Sequence, residues 1–345
     1  MRLSDFDYDL PPGLIAQQPT TQREGSRMLV LDRSKRSWID AEFAALSEYL
    51  TPNDVLVLNN TRVFPARLIG KRIPSGGQVE VLLVKEIEPL LWEALARPGH
   101  RLKPGARINF GDGELKAEVI ATTNSGLRVL RFDCNESFDL LLERFGEAPL
   151  PPYIKRPEGS TSLDRERYQT VYATSKGAIA APTAGLHFTQ QVLERIQEAG
   201  TKVVEITLHV GYGTFEPVRV LDVEQHRVAP ERFEISQQAA AEINAARSSG
   251  RRIVAVGTTT TRALESAVND SGQVGSGPGV GAVTITPGYT FRVIGALLTN
   301  FHLPQSSLLL LVSAFAGLDL TLSAYRHAVA SRYRFYSYGD CMLIQ

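Results

Sequence analysis

Between Ala66 and Asp133 six short apolar runs follow one another: ARLIGKR, QVEVLLVKE, LLWEALA, ARINF, LKAEVIAT and LRVLRF. Turn-rich breaks, PSGG, RPGHRLKPG, GDGE and TNSG, separate most of them. QVEVLLV and LRVLRF partly alternate, as half-buried strands do. Six such strands at this spacing predict a small antiparallel β-barrel. LPPYIKRPEG, residues 150–159, reads as a rigid linker that leads the chain out of it.

The flanking sequence follows a different pattern. The first part offers extended pieces, LIAQQP, SRMLVLDR and DVLVLNNTRV. Beyond the linker, strands alternate with helices. AIAA leads through PTAG to a helix at about 189–199. KVVEITLHV predicts a strand, ISQQAAAEINAARSSG a helix ending at Gly250, and RRIVAVG a strand. TTTTRALESAV starts a helix, FRVIGALL is a strand, and SSLLLLVSAFAG is a helix. This alternation predicts an α/β domain with a mainly parallel, covered sheet. The Gly-rich stretch 269–281 reads as a weakly ordered loop.

In an open α/β sheet, ligands bind beyond the carboxyl ends of the strands. Four predicted strand ends carry polar groups. Thr183 and His187 follow AIAA, and His209 ends EITLHV. Thr258 to Thr261 and Arg262 follow IVAVG, and Thr299, Asn300 and His302 follow ALL. Each element also has a structural reading: a hydrogen-bonded histidine, a helix cap or an Asx turn. Four ends together point to a shared site. The helix starts after Gly257 and near Pro304 can hold an anion through unpaired N–H groups, and Arg262 can pair with it. Phosphate-loop, dinucleotide, HExxH, CxxC and GxSxG motifs are absent, and no metal site is expected.

The chain has 345 residues, 43% of them hydrophobic, enough for two domains. Its 37 basic and 37 acidic residues balance, which argues against a non-specific nucleic-acid coat but leaves room for local basic faces. Two stretches lack any acid. One, 55–79, holds Arg62, Arg67, Lys71 and Arg72; the other, 94–110, holds Arg97, His100, Arg101, Lys103 and Arg107. The tail YRHAVASRYRFYSYGD interleaves arginines with Tyr333, Phe335, Tyr336 and Tyr338, a pattern suited to stacking on unpaired bases or to core packing. No apolar stretch reaches membrane-spanning length, and the acidic N-terminus lacks the apolar core of a signal peptide. Two distant cysteines, Cys134 and Cys341, suggest neither a disulfide framework nor zinc. A cytoplasmic protein is expected.

The same residues closely resemble the S-adenosylmethionine:tRNA ribosyltransferase-isomerase family, the epoxyqueuosine-forming enzymes of queuosine biosynthesis. Twelve segments carry the resemblance in order: FDYDLPPGLIAQQP, SRMLVLDR, DVLVLNNTRVFPARLIGKR, RPGHRLKPG, LPPYIKRP, ERYQTVYA, APTAGLHFT, TLHVGYGTFEPV, AVGTTTTRALESA, PGYTF, LLTNFHLP and YRFYSYGD. It implies a main α/β domain built from residues 1–65 and 149–345, with the barrel inserted as residues 66–148. It also implies the reaction. The ribosyl part of S-adenosylmethionine is transferred to a 7-aminomethyl-7-deazaguanine (preQ1) base at the tRNA wobble position and isomerised, and adenine and methionine leave. S-adenosylmethionine is then a consumed co-substrate, no cofactor is needed, and the partners are preQ1-carrying tRNA and S-adenosylmethionine, with no membrane. A monomer is expected.

That chemistry needs a base beside the sulfonium, an acid for departing adenine and a neutral attacking amine, and imidazoles suit these needs. The implied catalytic residues are His187, His209, His302, Asn300 and Glu265. The implied substrate-binding residues are Asn60, Arg62, Thr183, Thr258, Arg262 and Asp340. Arg97, Arg101, Lys103 and Arg334 are the candidates for tRNA phosphates. Some positions depart from the family pattern. Ala229 replaces the second histidine of a His-x-Met-His-x-Glu stretch, Gln305 a lysine, Gly295 an acid and Ala282 an aspartate. Two rival activities are a hydrolase or transferase that cleaves S-adenosylmethionine without tRNA, and a non-catalytic RNA-binding module.

Overall fold

The computed structural model describes every residue except Glu158, and for Thr214 and Phe215 the backbone alone. The first segment supplies β1 (Arg27–Asp32), β2 (Ser37–Glu42), β3 (Asp54–Asn59) and β4 (Thr61–Val63). Next come β5 (Arg67–Ile73), β6 (Gln78–Glu88), β7 (Leu91–Arg97), β8 (Arg107–Phe110), β9 (Leu115–Thr122) and β10 (Arg128–Cys134). The return path holds α1 (Phe138–Phe145), β11 (Gly146–Glu147), α2 (Ser162–Arg167) and β12 (Ser175–Ala178). The rest alternates through α3 (Gln190–Glu198), β13 (Lys202–Leu208), β14 (Glu231–Ile235), α4 (Gln237–Ser248), β15 (Arg252–Val256) and α5 (Thr258–Ala267). It ends with β16 (Gly277–Gly281), β17 (Ala296–Asn300), α6 (Ser307–Ala316), α7 (Leu318–Ala330) and β18 (Cys341–Ile344).

All six predicted barrel runs are strands. They close in the order β5-β6-β7-β10-β9-β8, with β8 pairing back onto β5 and every pairing antiparallel. Val79, Val81, Leu83, Ile108, Val119 and Leu130 fill its interior. Closure removes the exposed edges that six short strands would otherwise present.

The large sheet has the order β16-β14-β13-β3-β15-β17-β18-β1-β2. Its centre, β13-β3-β15-β17, is parallel, as the βα alternation predicts. The sheet as a whole is mixed rather than mainly parallel. β18 enters antiparallel to β17, and β16-β14-β13 and β1-β2 are antiparallel as well. The tail run CMLI has no helix after it to reveal it as a βα unit, yet it fills a gap in the middle of the sheet. Alternate residues of each central strand serve two cores. Val55, Val57, Ile253 and Ala255 join the face covered by α4 to α7, while Leu56, Leu58, Val254 and Val256 join the face under α3 and Phe43.

Two further expectations need correction. AIAA is not a strand of this sheet. Ser175–Ala178 pairs with β4 in a two-stranded ribbon, and the chain then turns away. The Gly-rich stretch is also more regular than expected, since Gly277–Gly281 pairs with β14 as an edge strand. Backbone pairing needs no side chain, and the Phe233 ring covers Gly279 where a Cβ would sit. The 150–159 linker is anchored ahead of Glu158, which itself lies outside the described residues: Ile154 is buried, and Arg156 grips Asp164 through two contacts of 2.8 Å. Among the described residues no single helix is long and apolar enough to cross a membrane.

Candidate active site

The carboxyl ends of β15 and β17 open into a cleft of about 570 Å³, part of it continuous with solvent. Its polar lining comes from Thr183, Thr258, Thr259, Thr299, Asn300, His302 and Ser337. Its apolar walls are Ala180, Ala181, Pro182, Val210 and Leu308, with Tyr153 and Tyr336 among the lining residues. No aspartate, glutamate, lysine or arginine is among these residues. Parallel strands explain the convergence. β15 and β17 are in register from Val254 opposite Ala296 to Val256 opposite Leu298, and the Gly257 N–H donates to the Leu298 carbonyl at 2.8 Å. The start of α5 is thereby set beside Thr299.

His302 is 6% exposed and its Nε2 lies 2.9 Å from the Thr299 hydroxyl. Its backbone is held by Tyr8, whose hydroxyl donates to the His302 carbonyl, and by Tyr325, whose hydroxyl accepts from the His302 N–H at 3.2 Å. Burial pushes the imidazole down to a pKa of about 3, so it is neutral near pH 7. Asn300 stands next to it at the end of β17. Its amide donates to the Tyr336 carbonyl at 2.8 Å, which turns Oδ1 towards His187 Nε2 at 3.4 Å. His187 Nδ1 then accepts from the Ser26 hydroxyl at 2.8 Å. Asn300 thus separates His187 from the cleft. His187 lines a second, smaller pocket of about 240 Å³ with Arg23, Ser26 and Arg167. Burial, the largest cause, with Arg334 and Arg23 nearby, takes it to about 4 against the opposing Asn300 hydrogen bond.

Tyr336 is one of the few non-glycine residues in the left-handed region, with φ of +74°. Several bonds fix it there. Its N–H donates to the Phe301 carbonyl at 3.0 Å, and its carbonyl accepts from Gly339 at 2.9 Å and from Asn300. Its ring meets Tyr153 edge-on at 3.9 Å, and the Tyr153 hydroxyl lies 2.5 Å from the Ser337 hydroxyl. A strained residue so heavily restrained at a cleft marks a functional wall.

Thr183, Thr258, Asn300 and His302 are therefore together in the cleft, and the remaining candidates are elsewhere. His209 leans on Gly177, where a Cβ would come within 2.7 Å of its ring, and Nδ1 meets the Thr61 hydroxyl at 2.9 Å. It points away from the cleft because Val210, next along the chain, points in. Glu265 is seven residues along α5 from Thr258, about two turns away. Its oxygens accept from the Val293 and Ile294 N–H groups at 3.0 and 3.1 Å, from Arg292 N–H at 2.9 Å and from the Tyr289 hydroxyl at 3.2 Å. Arg262 pairs with Glu231 at 2.7 Å and donates to the carbonyls of Gly281 at 2.8 Å, Ala229 at 3.1 Å and Val283 at 3.3 Å. Asp340 accepts from the N–H groups of Arg334 at 2.8 Å and Arg27 at 3.0 Å. Asn60 bonds Glu205 at 3.1 Å and accepts from Thr207 at 2.7 Å. All four hold scaffold segments together. Arg62, Arg97, Arg101 and Lys103 are exposed, whereas Arg334 is half-buried and donates to the Gln18 carbonyl.

Of the tail aromatics, Tyr333, Phe335 and Tyr338 are buried in the core, and only Tyr336 reaches the cleft. Tyr153, Ser337 and Asn59 were not anticipated. Asn59 ties β3 to β13 by donating to the Leu208 carbonyl at 2.9 Å and accepting from its N–H at 2.9 Å. An aromatic in a proline-flanked linker, PPYIKRP, was the available signal for Tyr153. Two of the departures pack against the scaffold. Ala229 abuts Gly213, whose Cβ would lie 2.7 Å away, and Gly295 packs on the Arg252 stem.

Comparison with known proteins places these features in a family. A family model described as queuosine biosynthesis protein matches residues 3–344. A protein of Desulforamulus reducens named S-adenosylmethionine:tRNA ribosyltransferase-isomerase is 50% identical, with the whole of both chains covered. A protein of the same name from Symbiobacterium thermophilum is 52% identical over the same span. The crystal structure of an S-adenosylmethionine tRNA ribosyltransferase from Thermotoga maritima is 35% identical and superposes with a TM-score of 0.56, covering 99% of this chain and all of its own. Matched by the family model over nearly its whole length and about half identical to full-length relatives, this chain belongs to the queuosine biosynthesis protein family.

Proposed function

We propose that the protein is an S-adenosylmethionine:tRNA ribosyltransferase-isomerase whose reaction takes place in the cleft between β15, β17 and the Tyr153–Tyr336 wall. It transfers and isomerises the ribosyl moiety of S-adenosylmethionine onto the preQ1 base at the wobble position of tRNA, giving epoxyqueuosine-tRNA, adenine and methionine. S-adenosylmethionine is consumed as a co-substrate. The observation that carries the reading is His302: an imidazole held neutral by burial in a cleft with no charged side chain among the described residues, inside a chain about half identical to full-length relatives of that name.

The chemistry follows from the surroundings. The sulfonium acidifies the adjacent carbon, and a neutral imidazole is able to take that proton and later return it to a leaving group. His302 is the proton-transfer group, with Thr299 fixing the ring through Nε2. Asn300 and His187 are positioning residues, because their bonds set the Tyr336–Ser337 segment. Tyrosine faces hold the sulfonium by cation–π attraction without a competing carboxylate. The exposed Arg97, Arg101 and Lys103 of the barrel contact tRNA phosphates, and an anticodon loop offers its wobble base unpaired. A monomer acting in the cytoplasm completes the reading.

The test is incubation with labelled S-adenosylmethionine and tRNA carrying the preQ1 base. Adenine release and label on tRNA are expected together, and neither with unmodified tRNA. Adenine release that ignores tRNA altogether, or tRNA binding with no turnover, sinks the reading.

A further inference from the structure

The seven α-helices treat their first turns differently. Thr161, Thr189, Ser236 and Ser306 cap α2, α3, α4 and α6 with a side-chain oxygen, while α1 and α7 carry Asp139 and Asp319 in the first turn. The ten-residue α5 has neither. Gly257, at φ +91°, turns the chain directly from β15 into the helix without a side-chain cap. The exposed end of the helix dipole, equivalent to about half a positive charge, therefore faces the cleft with its first amides unpaired.

The four threonines of this turn divide into two pairs. Thr260 and Thr261 donate back to the carbonyls of Val256 at 2.6 Å and Gly257 at 3.2 Å. Thr258 and Thr259 line the cleft, are 6% and 7% exposed, and their hydroxyls have no hydrogen-bond partner among the described residues. A hydroxyl that opens on the cleft and is not taken by the scaffold is free to donate to a ligand. Two such hydroxyls beside unpaired amides, in a lining with no charged side chain, form a receptor for a compact anion.

We propose that this end of α5 binds the carboxylate of the methionyl group of S-adenosylmethionine, through the hydroxyls of Thr258 and Thr259 and the first-turn amides. The proposal rests on the reading of S-adenosylmethionine as the co-substrate. Several bonds separate the carboxylate from the sulfonium, so anchoring the former at the positive helix end leaves the latter free to reach the tyrosine wall. The register of β15 and β17 puts the anchor beside Thr299, the residue that holds His302.

Calorimetric titration with S-adenosylmethionine and with its decarboxylated form tests this. The parent protein should bind S-adenosylmethionine at least tenfold more tightly than the decarboxylated compound. Thr258→Val with Thr259→Val keeps the branched shape and should abolish most of that preference, leaving the decarboxylated compound and tRNA bound as before. Thr258→Ser alone should retain it, and unfolding midpoints identify any variant that fails to fold. Equal binding of the two compounds by the parent, or equal weakening of both in the double variant, overturns the proposal. So does a loss confined to tRNA, which would make the helix end a phosphate receptor. A parent that releases adenine yet ignores the carboxylate sinks this proposal alone; one that binds neither compound and releases no adenine sinks the assigned reaction with it.

Discussion

The start and the end of α5 make opposite use of their polar residues. At the start, Thr258 and Thr259 have hydroxyls with no partner among the described residues and face a cleft shared with His302. Further along, Arg262 and Glu265 are saturated: one pairs with Glu231 and three carbonyls, the other collects three backbone amides and a phenol. Motif resemblance marks both sets equally. Hydrogen-bond saturation separates them, because a group whose donors and acceptors are all taken by the scaffold has nothing left for a substrate.

The largest expected effect lies on the cleft side. His302→Gln should lower adenine release by about 10²–10⁴-fold, the usual span for one proton-transfer group, with S-adenosylmethionine affinity nearly unchanged. Activity close to the parent would place the proton transfer outside the cleft. On the saturated side, Arg262→Ala should cost about 3–5 kcal/mol in urea unfolding, since it takes away the cation that pairs with the buried Glu231 carboxylate. A stable but inactive Arg262→Ala protein would break the comparison, because it would move this arginine from scaffold to chemistry.

Acid tests the same division more gently. His187 and His302 are depressed to about 4 and 3 by burial, below the 6.5 of an unfolded histidine. The unfolded chain therefore binds protons that the folded chain refuses, so stability is full above pH 6.5 and falls as pH drops towards 4. Each histidine contributes a slope of about 1.4 kcal/mol per pH unit there. Denaturant midpoints between pH 7 and 5 should show it, and His187→Gln should remove its share while that of His302 remains; an unchanged slope means that His187 titrates normally. The smallest effect belongs to the barrel. Arg101→Ala and Lys103→Ala should each reduce the salt slope of tRNA binding by about 0.7–0.9 and leave binding of S-adenosylmethionine alone intact. Unaltered salt dependence would put the phosphate track elsewhere.

Much of the fold was legible because local periodicity encodes it. The six barrel strands and helices α3 to α6 follow from apolar spacing and from caps such as Thr189, Ser236 and Ser306. The mixed sheet was not legible, since β18 is four residues long and its place between β17 and β1 depends on pairing with distant segments. The site was half legible. Strand ends pointed to Thr258, Asn300 and His302, which line one cleft, while Thr183 reaches the same cleft from a segment that is not a strand of the large sheet. Orientation decided the rest: His209 and Val210 are neighbours on opposite faces, and two helical turns carry Glu265 out of reach of what Thr258 faces. Tyr153 and Ser337 meet only because the linker and the tail fold onto each other.

Ile179 belongs to the barrel's hydrophobic interior, while the next two residues, Ala180 and Ala181, form part of the cleft wall. The barrel and the cleft therefore share one peptide segment, with no flexible spacer between them. Any displacement of Ile179 by a macromolecule seated on the barrel would pass along the backbone directly into Ala180 and Ala181. Thermodynamic linkage makes the lever work both ways: whatever factor tRNA binding adds to the affinity for the small co-substrate, the small co-substrate returns to tRNA.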